Sequence, residues 1–154
     1  MSPPNLHATL VVVDGRGVLI RGASGAGKSS LAVSLLRRAE GAGCSARLVA
    51  DDQVLVEARG DAAFGSPPPA IAGLIEIRGV GLLRQPFASE ARIDLVVDLT
   101  AREEIERLPE PAIAEIAGIA VRRIALPERD PAFGADVLLT LLASPVNEDG
   151  GEAG

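Results

Sequence analysis

A chain of 154 residues is long enough to bury one proper core and too short for two domains of ordinary size. A formal charge of −6 and only three aromatic residues, all phenylalanine, exclude a whole-molecule field for nucleic acid or anionic membrane, and exclude base-stacking platforms. Hydrophobic residues make up 47% of the chain, yet no apolar run approaches the ~18 residues of a membrane span, and Met1-Ser2-Pro3-Pro4-Asn5 lacks the regions of a signal peptide. The expectation is a cytoplasmic protein with neither nucleic acid nor membrane as partner. Cys44 is the single cysteine, which leaves no intrachain disulfide and no cysteine-based metal site.

Residues 8–13 form a β-branched apolar run ending at Asp14-Gly15, a hairpin turn signal, and residues 17–21 form the returning strand. Next come Gly22, Ala23, Ser24, Gly25, Ala26, Gly27, Lys28 and Ser29, which fit G-x-x-x-x-G-K-[ST] at every fixed position. Glycines let the backbone turn tightly and aim several N–H groups into one concavity, where phosphate oxygens fit without a side chain in the way. Lys28 adds positive charge, and Ser29 offers a hydroxyl to a Mg2+ bridging two phosphates. Leu31, Ala32, Leu35, Leu36 and Ala39 recur at helical spacing, so a helix is expected over residues 28–40, stopped by Gly41-Ala42-Gly43. Its N-terminus points a positive dipole end at the same anion. Strand, loop and helix in this order separate a phosphate loop from a plain glycine turn.

Residues 46–50 read as a strand that delivers Asp51 and Asp52 at its end, and residues 53–58 as another, turned by Gly60-Asp61. Ser66-Pro67-Pro68-Pro69 marks a loop. Residues 74–83 would be one strand but for Gly79 and Gly81. Residues 92–99 are nearly all apolar, as a strand buried in a sheet should be. A short charged helix over 101–107, strands over 113–119 and 121–126, and a helix over 136–142 complete the pattern. Only the first β-α-β unit is convincing and strands outnumber helices. The expected fold is an α/β domain with a mixed sheet over residues 1–146, followed by a disordered acidic tail over 147–154.

A phosphate loop needs an acidic partner for its metal. Asp51-Asp52 is the first candidate: one carboxylate would accept a proton from an attacking hydroxyl while its neighbour orients the metal or its water, the alternative being a solvated strand end. Glu76 is the second, an acid among Leu74, Ile75 and Ile77, and its alternative is an edge strand on which Arg78 pairs with it. By pattern alone, His7 reads as a surface residue and Arg107 as a charged helix end.

Taken together, these segments resemble the catalytic C-terminal domain of the HPr kinase/phosphorylase family. Besides the loop, Arg47-Leu48-Val49-Ala50-Asp51-Asp52 and Ile75-Glu76-Ile77-Arg78-Gly79-Val80-Gly81 are similar to that family's signature segments, as are Arg92-Ile93-Asp94-Leu95-Val96-Val97 and Glu106-Arg107-Leu108. The resemblance runs from about residue 7 to about residue 130. It implies an HPr kinase/PEP carboxykinase-like P-loop fold in a short form without the family's N-terminal domain. It further implies an ATP- and Mg2+-dependent serine kinase acting on the phosphocarrier HPr, possessing a phosphorylase reverse reaction, a regulatory role in the phosphotransferase system and carbon or nitrogen metabolism, and assembly into a homo-oligomer, a hexamer. By the same resemblance, Lys28 and the loop hold phosphates, Ser29 and Glu76 ligate Mg2+, Asp51 accepts the serine proton with Asp52 in support, His7 shapes the site, and Arg107 stabilises charge on the transferring group. Ser30 stands where the family has an acidic residue, and Glu128-Arg129-Asp130-Pro131 matches the family's arginine-bearing motif poorly. A small-molecule P-loop kinase and a non-catalytic nucleotide sensor are the alternative functions.

Overall fold

The computed structural model describes residues 4–143. In chain order its strands are β1 (Asn5–Leu6), β2 (Ala8–Val13), β3 (Arg16–Arg21), β4 (Ala46–Ala50), β5 (Val54–Arg59), β6 (Ala62–Ser66), β7 (Leu74–Ile77), β8 (Gly81–Arg84), β9 (Ala91–Thr100), β10 (Ala112–Ile116) and β11 (Ile119–Pro127). Helix α1 (Lys28–Gly41) follows β3, and α2 (Pro131–Ala143) closes the described chain. Nine strands form one sheet in the order β1-β5-β6-β9-β3-β2-β4, with β11 also pairing β9 and β10 pairing β11. The sheet is mixed, as expected: β3 and β11 each run parallel to β9, while β2 is antiparallel to both β3 and β4. Strands β7 and β8 form a separate hairpin.

Strand β9 is the hub, bonded to β3, β6 and β11. The pleat of the central strands sends alternate side chains to two different cores. Val18 and Ile20 of β3 join Leu31 and Leu35 of α1 and Leu138 of α2 on the helical face, whereas Leu19 joins Val54, Val56 and Ile116 in the second cluster. Burial on both faces explains why these strands read as unbroken apolar runs rather than alternating ones.

Two expected elements change, and a strand is added. The predicted helix over 101–107 is only a 3-10 turn, Arg102–Glu104, because residues 101–111 carry four glutamates and two prolines and bury almost nothing. Helix α2 begins at Pro131, five residues before the expected start, since proline's fixed φ suits a first helical position. Strand β6 has no counterpart in the sequence reading. The segment Ala-Ala-Phe-Gly-Ser has weak strand propensity, and it is held by its neighbours: Leu10 and Val54 lie so close to Gly65 that any side chain there would collide. The expected tail over 147–154 lies outside the described residues.

One polar cluster ties three strands together at the end of the sheet from which the Gly22–Ser29 loop emerges. Arg21 donates from Nε and Nη2 to the two oxygens of Asp98, at 2.8 and 2.9 Å, and Arg123 Nε donates to Asp98 Oδ2 at 2.6 Å. Burial by itself would raise the Asp98 carboxyl, but these hydrogen bonds and the two positive charges outweigh it and hold it below the usual range. A depressed carboxyl contributes stability that is present above its unfolded value and lost as pH falls through its folded one. Asp98→Asn is therefore expected to cost about 2 kcal/mol at pH 7, less than for a fully buried pair because both arginines are one-third exposed. The gap to the unmutated chain should close below about pH 4, as urea melts at both pH values would record.

Candidate functional site

The loop between β3 and α1 is shaped by its glycines. Gly25 and Gly27 have φ of +85° and +97°, and the amide of Ala26 closes a tight turn on Ala23 O at 3.0 Å. Gly27 caps α1 without a side-chain hydrogen bond, so the N–H groups of the first helical turn keep no side chain between themselves and the concavity in front of them. Lys28 is buried and folds across the loop, donating from Nζ to Gly22 O at 2.9 Å and Ala23 O at 3.3 Å. On the far side the amide of Arg129 donates to Ala26 O at 3.0 Å, which pins the start of α2 against the loop.

The two aspartates that end β4 part company. Asp51 is 6% exposed. Its Oδ1 accepts Ser29 Oγ at 2.7 Å and Thr9 Oγ1 at 3.0 Å, and its Oδ2 accepts the Glu76 amide at 3.0 Å. Asp52 takes a left-handed backbone, φ +71°, a conformation that aspartate tolerates better than most residues. That turn sends its side chain outward to His7, whose Nε2 lies 2.6 Å from Asp52 Oδ1.

A cavity of about 770 Å3 opens in front of the loop. Lys28, Ser29, His7, Asp52, Glu76, Arg78 and Arg129 are among the residues that line it. Hairpin β7–β8 brings Glu76 there: Ile75 is buried in the helical core, so the pleat turns Glu76 outward, toward the cavity. Arg78 and Glu76 both line the cavity, and among the described residues no ion pair joins them.

Most of the expected site residues meet here; Gly22, Ala23 and Ala26 of the loop are not among the cavity residues, and neither are two side chains expected to take part in the chemistry. Asp51, expected to be the proton acceptor, does not line the cavity and has both carboxylate oxygens engaged; Asp52, expected in support, faces it. Arg107 lies in the exposed segment between the 3-10 turn and β10 and is not among the cavity residues. The missed residues are Thr9 and Arg129. Arg129 occupies the poorly matched segment and reaches the loop through a backbone hydrogen bond spanning about a hundred residues of sequence, for which no local spacing provides a signal.

Among the described residues no cluster of three or more His, Cys, Asp or Glu side chains gathers to hold a metal. What the site does have is one buried carboxylate joined to both the Ser29 hydroxyl and the backbone of Glu76. Such a sparse oxygen set fits Mg2+, which keeps waters and takes most ligands from substrate phosphates, and does not fit a metal held wholly by protein.

Loop, helix start and a buried aspartate on the loop serine sit together on an α/β domain with a mixed sheet. The chain belongs to the HPr serine kinase C-terminal domain family, whose model matches residues 2–140. It is 34% identical over 155 residues to the HPr kinase/phosphorylase of Enterococcus faecalis, covering 93% of this chain and 47% of that protein. To the one from Leptothrix cholodnii it is 38% identical over 133 residues, covering 78% and 39%. The chain thus spans about half the length of the curated relatives it matches, or less. The solved structure of the Hpr(Ser) kinase/phosphatase from Coxiella burnetii superposes with a TM-score of 0.76 at 26% identity, covering 90% of this chain and 96% of that one. The α/β mixed-sheet fold expected from the sequence is the fold of that structure.

Proposed function

We propose that this domain transfers the γ-phosphoryl group of ATP to a serine hydroxyl of HPr, and that it also runs the reverse, phosphorylase reaction. One observation carries the reading: Asp52, held by His7, shares a single cavity with Lys28 and the helix start. That is a proton acceptor facing a phosphate cradle. The names of the relatives supply the substrate class.

Phosphoryl transfer asks mainly for positioning and positive charge. Lys28 and the loop amides hold the phosphates. Ser29 and Glu76 would hold Mg2+, which supplies charge neutralisation on the phosphate oxygens when bound. Asp51 fixes the Ser29 hydroxyl by accepting its proton in a hydrogen bond. Asp52 accepts the proton of the attacking serine hydroxyl and returns one in the reverse direction, with His7 orienting its carboxylate. The reading reverses the two aspartates relative to the resemblance, because a buried carboxylate that already receives three donors is a poorer proton acceptor than one facing the cavity. Arg129, which lines the cavity, takes the charge-stabilising role that the resemblance gave to Arg107. A cytoplasmic location, a part in regulating the phosphotransferase system, and a homo-oligomeric, hexameric assembly belong to the same reading.

The test is direct. The purified chain, incubated with γ-labelled ATP, Mg2+ and HPr, is expected to place label on a serine of HPr. Label on a small metabolite instead would favour a small-molecule kinase, and nucleotide binding without any transfer would favour a sensor; either result overturns the proposal.

A further inference from the structure

We propose that Thr9 is a positioning residue for both aspartates, a role that rests on the phosphoryl-transfer reading of the site and extends it. Thr9 is fully buried in β2, with Ala8 and Leu10 beside it, a place where valine would pack equally well. Burying a hydroxyl is costly unless it is hydrogen-bonded, so its partners reveal what it is for. Both belong to the site. Thr9 Oγ1 donates to Asp51 Oδ1 at 3.0 Å and accepts the Asp52 amide at 3.3 Å.

The strand geometry places it there. Pairing of β2 with β4 shifts register between Leu10 and Val11, and Leu10 pairs with Ala50, the last residue of β4. Thr9 therefore sits beside the chain just as it leaves the sheet at Asp51 and Asp52. Its single proton fixes the rotation of the Asp51 carboxylate that also receives Ser29 Oγ. Its lone pair holds the peptide that turns Asp52 into the left-handed conformation facing His7. One hydroxyl thereby couples the loop serine to the proton acceptor.

Thr9→Val removes the hydroxyl and keeps the shape; Thr9→Ser keeps the hydroxyl and removes a methyl. Two readouts are needed: steady-state transfer to HPr, and ADP affinity by calorimetry with and without Mg2+. Thr9→Val is expected to lower kcat by about 10- to 100-fold, the worth of a hydrogen bond to a charged group. KM for ATP in the presence of Mg2+ should rise by no more than the lost metal enhancement, about fivefold, since the loop amides and Lys28 are untouched. ADP affinity without metal should be unchanged, while the enhancement by Mg2+ falls by about fivefold or more, by the same hydrogen-bond argument. Thr9→Ser should restore both. Retention of kcat and of the Mg2+ enhancement in a folded Thr9→Val would overturn the inference, as would a Thr9→Ser no better than Thr9→Val. If the valine variant does not fold, Thr9→Ala is judged by the same criteria. A wild-type chain inactive on HPr sinks the kinase reading instead, and the Mg2+ titration then decides the role of Thr9 without it.

Discussion

Asp52→Asn is expected to lower transfer to HPr by about a thousandfold, within the range that a general base contributes, while ADP affinity with Mg2+ stays within a few-fold of the unmutated chain. Asparagine keeps the size and the hydrogen bond to His7 but cannot accept the serine proton. Asp51→Asn should behave differently. It removes charge from a buried group that receives Ser29, Thr9 and the Glu76 amide. One of those donors then faces an NH2 group, so Mg2+-dependent nucleotide binding and thermal stability should both fall along with transfer. Comparing the two variants by single-turnover transfer, calorimetry and melting separates proton acceptance from site construction. If Asp51→Asn lost only transfer while Asp52→Asn stayed active, the roles would stand as the family resemblance first implied.

Gly17→Ala is expected to be the most damaging single-methyl change in the fold, costing at least about 3 kcal/mol, the upper range for overpacking. An added Cβ would lie 2.0 Å from the carbonyl oxygen of Arg92 and 3.0 Å from its carbon, both backbone atoms that cannot rotate away. Arg92 also pairs with Phe64 of β6, and β3–β9 pairing shifts register at Gly17. Displacing Arg92 therefore disturbs two junctions of the hub strand. Against a total stability of about 5–15 kcal/mol, that is a large share. Gly60→Ala is the control: φ of +62° with open space around it should cost only about 1 kcal/mol. Urea midpoints of the two variants check the contrast; equal midpoints would mean that the β3–β9 junction yields more readily than its geometry indicates.

The parts of this protein legible in its sequence are those whose geometry is local. A phosphate loop is eight consecutive residues between a strand and a helix, and each glycine does its work within the turn that contains it, so motif and flanks were enough. The hairpin at Asp14-Gly15 was readable for the same reason, both residues having positive φ as a two-residue turn requires. Strands β4 and β9 declared themselves by apolar runs, and Asp51, Asp52 and Glu76 stood out as acids at strand positions downstream of a loop that needs an acidic partner for its metal.

What the tertiary structure decided is everything that depends on which neighbour arrives. Adjacent aspartates are equivalent in a sequence. They became unlike only because Asp52 takes a left-handed φ beside a register shift in β2, which buries one carboxylate under three donors and turns the other to His7. Thr9 looks like any β-branched strand residue until its hydroxyl meets both of them. Arg107 and Arg129 are placed differently for a similar reason: the segment around Arg107 buries too little to be drawn inward, whereas the amide of Arg129 is held by Ala26. Motif spacing measures distance along the chain, and the division of labour in this site is set by hydrogen bonds that cross it.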